Sequence, residues 1–132
     1  MITVLFACVH NAGRSQIAAA LFNRLADPAK ARAISAGTQP ADRVHPEVVS
    51  LMQDRGVDLS GQQPQLLTPD LAAQAQWLIT MGCGDECPVV PGIKRDDWPL
   101  ADPKGQSPDR VRGIIDDIER RVAQLIEMED WR

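Results

Sequence analysis

The sequence predicts an α/β protein, a single-domain three-layer sandwich whose four-stranded parallel sheet is flanked by helices. Short apolar runs suited to buried strands alternate with segments of helical periodicity, the pattern of a parallel sheet with crossover helices. The chain has 132 residues, enough for one hydrophobic core and too few for two ordinary ones, so residues 1–132 are read as one domain. Cys8, Cys83 and Asp102 fall in the segments that follow predicted strands, and open parallel sheets bind ligands at the carboxyl ends of their strands.

Residues 2–7 are apolar and partly β-branched, and residues 8–13 make a turn-rich loop. Residues 15–25 then place Ile17, Ala18, Leu21, Phe22 and Leu25 on one helical face. Asp27-Pro28 ends that helix, and residues 31–36 form a second strand. After a loop over 37–43, Pro46 opens a helix carrying Val48, Val49, Leu51 and Met52, with Gly56 as its stop. Gly61-Gln62-Gln63-Pro64 reads as irregular, Thr68-Pro69-Asp70 caps a short helix, and residues 77–81 suit a buried third strand. Glycines, prolines and acidic residues dominate 82–106, with at most a brief strand around Ile93. Ser107-Pro108-Asp109 caps a long amphipathic helix containing Ile114, Ile115, Ile118, Val122, Leu125 and Ile126.

Composition narrows the function classes. Hydrophobic residues make up 44% and charged residues 24%, ordinary globular values, and no apolar run approaches the roughly 18 residues of a membrane span. The formal charge is -4, and the basic residues are scattered rather than gathered into a stripe, which argues against a nucleic-acid surface. Any anion must therefore be held by local geometry. Met1 leads straight into the first strand with no secretory pattern, so the expectation is a cytoplasmic monomer without a membrane or nucleic-acid partner. Three cysteines in such a chain suit reactive thiols or a metal better than a disulfide framework.

Cys8-Val9-His10-Asn11-Ala12-Gly13-Arg14-Ser15 carries the strongest chemical signal, a cysteine after a strand and an arginine six residues later at a helix start. A loop of this length can turn successive backbone N–H groups inward and, with the positive end of the helix dipole, form a concave anion site from Val9 to Ser15. Arg14 adds a planar, bidentate clamp. The same field favours the thiolate of Cys8, and Ser15 is placed to donate a hydrogen bond to the sulfur, which makes Cys8 a nucleophile. Asn11 tolerates left-handed backbone geometry, and Gly13 removes a side chain from the tightest part of the turn. A lone cysteine is more often a small buried hydrophobe; the strand, helix and Ser15 around this one favour function.

Asp102, in Leu100-Ala101-Asp102-Pro103, follows the expected fourth strand, where a carboxyl group can protonate a leaving oxygen or merely initiate an Asp-Pro turn. Cys83 and Cys87 are three residues apart on a Gly-bearing loop, near enough to pair if it bends, and read as a thiol relay. Two other readings stay open: a zinc site using Cys8, Cys83, Cys87 and His10, and inert thiols. No metal site is assigned. His10 tunes charge or contacts substrate, His45 takes a surface role at a helix start, and neither is given a catalytic role.

Taken together, the segment from Cys8 to Ser15, Ile34-Ser35-Ala36-Gly37, Thr80-Met81-Gly82-Cys83-Gly84-Asp85 with Cys87-Pro88, and Asp97-Trp98-Pro99-Leu100-Ala101-Asp102-Pro103 form a specific set. In these segments the sequence resembles the thioredoxin-coupled arsenate reductases, which share the low-molecular-weight tyrosine phosphatase fold. The resemblance implies that Cys8 attacks arsenate, that Arg14 and the loop amides hold it, and that Asp102 assists loss of an oxygen. It further implies that Cys83 attacks Cys8 and that Cys87 attacks Cys83, so that a Cys83–Cys87 disulfide reaches thioredoxin with no bound cofactor. Phosphate or sulfate would occupy the same site. Phosphatases of this fold usually carry an aromatic residue after the Asp-Pro pair, whereas Lys104 follows here and the chain has no tyrosine. Other departures are the short Cys83–Cys87 spacing, Gly13 where a second loop cysteine is frequent, and Ala19 in place of an acidic residue associated with a potassium site. The spacing resembles an actinobacterial-type branch, in which mycothiol with mycoredoxin is an alternative reductant. Besides the reductase, a tyrosine phosphatase and a metal- or arsenite-binding protein remain as readings.

Overall fold

The computed structural model describes residues 1–82 and 92–132. Four strands, β1 (Ile2–Cys8), β2 (Ala31–Gly37), β3 (Trp77–Thr80) and β4 (Lys94–Asp97), form one sheet in the order β2-β1-β3-β4. Every pairing is parallel. The helices are α1 (Arg14–Leu25), α2 (Pro46–Asp54), α3 (Pro69–Ala73) and α4 (Pro108–Met128). The predicted parallel sheet with flanking helices is therefore the observed architecture. No helix among the described residues is long and apolar enough to cross a membrane.

The central strand explains how one short chain builds two hydrophobic layers. Side chains alternate along a strand, so Val4, Phe6 and Cys8 join the larger core while Leu5 and Ala7 join the smaller one on the other face. The larger core is closed by α1 and by α4, whose Val111, Ile115, Ile118, Val122 and Ile126 recur at helical spacing and are fully buried. The smaller core packs Leu78, Ala36 and Ala72 with Leu67, Leu71 and Ile93. Both predicted caps form: Thr68 Oγ1 accepts from the Leu71 amide at 3.1 Å, and Ser107 Oγ from the Arg110 amide at 3.3 Å.

The fourth strand is where the sequence is least explicit. Lys94-Arg95-Asp96-Asp97 is exposed throughout, so it lacks apolar alternation, and only Ile93 just before it packs inward. As an edge strand it is held by its backbone ladder with β3, from Trp77–Lys94 to Thr80–Asp97, and charges at such an edge oppose intermolecular pairing. Beyond it, the Trp98 amide donates to the Thr80 carbonyl at 2.8 Å, and the Trp98 ring lies 5.5 Å from Phe6. These contacts bring the 99–103 segment back over the end of β1.

Phe22 on α1 meets Phe6 edge-on at 6.0 Å and Trp131 at 5.8 Å, joining the helix to the sheet and to the chain's last residues. It is fully buried. Phe22→Ala is expected to cost about 3–5 kcal/mol, read from the urea midpoint; a loss below about 1 kcal/mol would mean that the aromatic cluster does not hold α1 in place.

Candidate active site

The site begins where β1 runs out of sheet. Cys8 is the last paired residue, opposite Gly37, and α1 starts at Arg14, one residue before the predicted start. The intervening backbone is fixed from outside. The carbonyls of Cys8, Val9, His10 and Ala12 accept from the amides of Thr38, Gln39, Ala41 and His45 at 3.2, 2.8, 3.0 and 2.9 Å. The Gly13 carbonyl accepts from the Ile17 amide at 3.0 Å, and the Asn11 carbonyl from Gln16 Nε2 at 3.1 Å. All six carbonyls from Cys8 to Gly13 are thus engaged away from the concave side. This strap requires close approach at Gly37, where a Cβ would fall 2.6 Å from the Val9 carbonyl oxygen and 2.9 Å from the Asn11 nitrogen.

The sulfur sits at the base of this loop, with Cys8 only 2% exposed. Cys8 Sγ lies 2.8 Å from Ser15 Oγ, and the Asn11 amide donates to it at 3.3 Å. The direction of the Ser15 contact follows from its neighbours. The Gln65 amide can only donate, and it meets Asn11 Oδ1 at 2.9 Å, which fixes that atom as oxygen. The other end of the Asn11 side chain, Nδ2, therefore donates to Ser15 Oγ at 2.7 Å, leaving the hydroxyl proton of Ser15 for the sulfur. Two donors thus point at the Cys8 sulfur. Asn11 has φ 51°, the left-handed geometry expected of it from sequence.

Arg14 is buried to 7% exposure, and its Nη1 donates to the Leu100 carbonyl at 3.0 Å. The guanidinium lies against Gly82, where a Cβ would come within 2.3 Å of Nη1 and where φ is +93°. Gly13 is likewise crowded: a Cβ there would meet Pro103 at 2.7 Å and the His45 ring at 3.4 Å. The Asp102-Pro103 turn therefore packs on the anion loop through Pro103. Asp102 is half-buried, and its Oδ1 accepts from the Lys104 amide at 3.0 Å. Of the two functions considered for Asp102, the turn is the one formed, at the edge of the loop.

His45 departs from the surface role expected of it. It is half-buried beside Gly13, and its amide holds the Ala12 carbonyl, because the N-terminus of α2 closes the strap around the loop. His10 Nδ1 pairs with the Gln39 carbonyl at 3.1 Å. Cys83 and Cys87 lie outside the described residues, as do two of the four candidate zinc ligands. Among the described residues no three or more His, Cys, Asp or Glu side chains gather to hold a metal. Sequence reasoning missed Gln16, Gln65 and the Leu100 carbonyl. Gln16 sits at the start of a helix whose first six residues are all buried, which only the folded chain reveals.

A family model described as low molecular weight phosphotyrosine protein phosphatase matches residues 3–130. The chain is 40% identical over 128 residues to a putative arsenate reductase of Halobacterium salinarum, covering 92% of this chain and 89% of that protein. It is 33% identical over 126 residues to a glutaredoxin arsenate reductase of Synechocystis, covering 93% and 95%. Among solved structures, a thioredoxin-dependent arsenate reductase of Corynebacterium glutamicum superposes with a TM-score of 0.84 at 41% identity, covering 97% of this chain but only 61% of that one. A match running almost from end to end, on a chain whose first strand delivers a cysteine into a carbonyl-strapped loop, places this protein: it belongs to the low molecular weight phosphotyrosine protein phosphatase family.

Proposed function

We propose that this chain reduces arsenate to arsenite through Cys8, with Cys83 and Cys87 as a thiol relay that thioredoxin regenerates and with no bound cofactor. The observation that carries the reading is the pair of donors on the Cys8 sulfur at the base of a loop whose carbonyls are engaged elsewhere. Such a loop leaves the amides of Val9, His10 and Ala12 to Ser15, with the amino end of α1, to face a tetrahedral oxyanion, and phosphate or sulfate would fit as well. The Arg14 fork has five N–H donors; Leu100 takes one, and others close on the anion.

Cys8 thiolate attacks the arsenic atom of hydrogen arsenate, and as the S–As bond forms an As–OH bond breaks, its hydroxyl taking a proton from Asp102 to leave as water and giving a Cys8 S–As(V) adduct. Cys83 thiolate then attacks the Cys8 sulfur; the S–As bond breaks, its electron pair stays on arsenic, and arsenite departs. Two thiols have supplied two electrons, and a Cys8–Cys83 disulfide remains. Cys87 attacks Cys83, freeing Cys8, and the Cys83–Cys87 disulfide is reduced by the dithiol of thioredoxin. This recycling needs a compartment that keeps thioredoxin reduced, which supports a cytoplasmic location, and one chain holds every residue used, which supports a monomer. Support for the activity comes from relatives named as arsenate reductases, and their names divide over glutaredoxin and thioredoxin.

A second reading is a tyrosine phosphatase, favoured by the family description and by Asp102 beside the loop. There water, not Cys83, would attack the adduct. Lys104 after Pro103 and the lack of any tyrosine weigh against an aromatic substrate wall at that position.

With thioredoxin, thioredoxin reductase and NADPH, arsenate should drive NADPH oxidation by the wild type; Cys83→Ser and Cys87→Ser should each stop multiple turnover, and Cys8→Ser even the first. Sustained turnover by either relay variant would defeat the relay, and phosphate release from a phosphotyrosine mimic, fast and intact in both, would favour the phosphatase. Asp102→Asn should slow single-turnover adduct formation by about 10²- to 10⁴-fold while phosphate binding is retained; a single-turnover rate equal to wild type would remove Asp102 from the proton-donor role.

A further inference from the structure

Gln16 lies in the first turn of α1, is 4% exposed, and takes no part in the chemistry above. Three oxygens surround its Nε2: the Asn11 carbonyl at 3.1 Å, Asn11 Oδ1 at 3.2 Å and the Gln63 carbonyl at 3.3 Å. Two of these are main-chain carbonyls, which only accept, so the nitrogen end of the amide must face them. The same Asn11 Oδ1 accepts from the Gln65 amide, so Gln16 and the 63–65 segment grip Asn11 together.

Asn11 is the turning point of the loop. Its left-handed backbone aims its amide at the Cys8 sulfur, and its side-chain nitrogen sets the hydroxyl of Ser15 toward the same atom. Both donors to the sulfur therefore depend on where Asn11 is held. The two acceptor oxygens of Asn11, its carbonyl and Oδ1, are both reached by Gln16 Nε2. We propose that Gln16 is a positioning residue for the nucleophile: its amide nitrogen locks Asn11 in the left-handed turn and so keeps the Ser15 hydroxyl and the Asn11 amide on Cys8. Its kinetic consequence rests on the reading of Cys8 as the nucleophile, whereas its consequence for anion binding rests on the loop alone.

Gln16→Met preserves length and removes both donors. Inorganic phosphate, measured by calorimetry on the full chain, should bind about tenfold more weakly, and the single-turnover rate with saturating arsenate should fall about tenfold, the weight of one hydrogen bond to a charged group. In a Ser15→Ala background the same substitution should lower that rate by clearly less than about tenfold, because one of the two routes to the sulfur is already cut and only the Asn11 amide is left to misplace. A side chain that only filled space would leave the two losses multiplicative. Multiplicative losses, or wild-type rate and phosphate affinity in Gln16→Met, overturn the proposal. If wild type turns over no arsenate, the functional reading fails while the phosphate comparison still decides the role of Gln16. Should near-ultraviolet circular dichroism show Gln16→Met to be misfolded, hydrogen exchange in the wild type decides: the Gln16 side-chain amide protons should exchange about a hundredfold more slowly than those of exposed Gln124, and equal rates overturn the proposal.

Discussion

The site depends on where six carbonyl groups point. A loop that is to hold an oxyanion with its amides must dispose of its own carbonyl oxygens, each of which would otherwise repel the ligand and each of which costs free energy if buried without a partner. Here the 38–45 segment takes four of them, the first turn of α1 takes one and a buried side chain the last. That solution demands that β2 end against β1 with no side chain at Gly37. The parallel pairing of Cys8 with Gly37 is therefore as much a part of the anion site as the loop itself.

Local geometry of this kind also reconciles an acidic protein with an anionic ligand. The formal charge of -4 opposes approach only weakly, because interactions between exposed charges are largely screened beyond about 8 Å at physiological ionic strength. Inside the loop, distances of hydrogen-bond length and a buried guanidinium dominate. The scattered surface cations read from the sequence thus carry no information about the ligand.

Much of this was legible in the sequence because it follows from local pattern. The apolar run of β1, the stripe on α4 and the caps at Thr68 and Ser107 announce themselves by periodicity and side-chain chemistry, and the Cys8-to-Arg14 spacing does so by its place between strand and helix. What stayed hidden depends on tertiary contact. β4 is stabilised by a backbone ladder that its four charged side chains do not reflect. His45 reads as a surface histidine until α2 is folded against the loop, and Gln65 acts through its backbone amide, which no side-chain pattern encodes. Gln16 belongs with these, since its burial with the rest of the first turn of α1 arises from tertiary packing.

Arg14 connects the two chemical halves of the proposed reductase. Its guanidinium must lie near the base of the loop to meet an anion, and in the folded chain its Nη1 is held by the Leu100 carbonyl and lies against bare backbone at Gly82. Gly82 directly precedes Cys83 in sequence, and Leu100 precedes Asp102 by two residues. The proposed anion clamp thus touches the segments that bear the proposed relay and the proposed proton donor. A side chain at position 82 would clash with the clamp and would also strain a backbone at φ +93°, so both the conformation and the contact call for glycine. A fold shared with phosphatases could in this way carry the proposed reductase chemistry on the same loop, because in the sequence the proposed thiols follow directly on a glycine that Arg14 contacts.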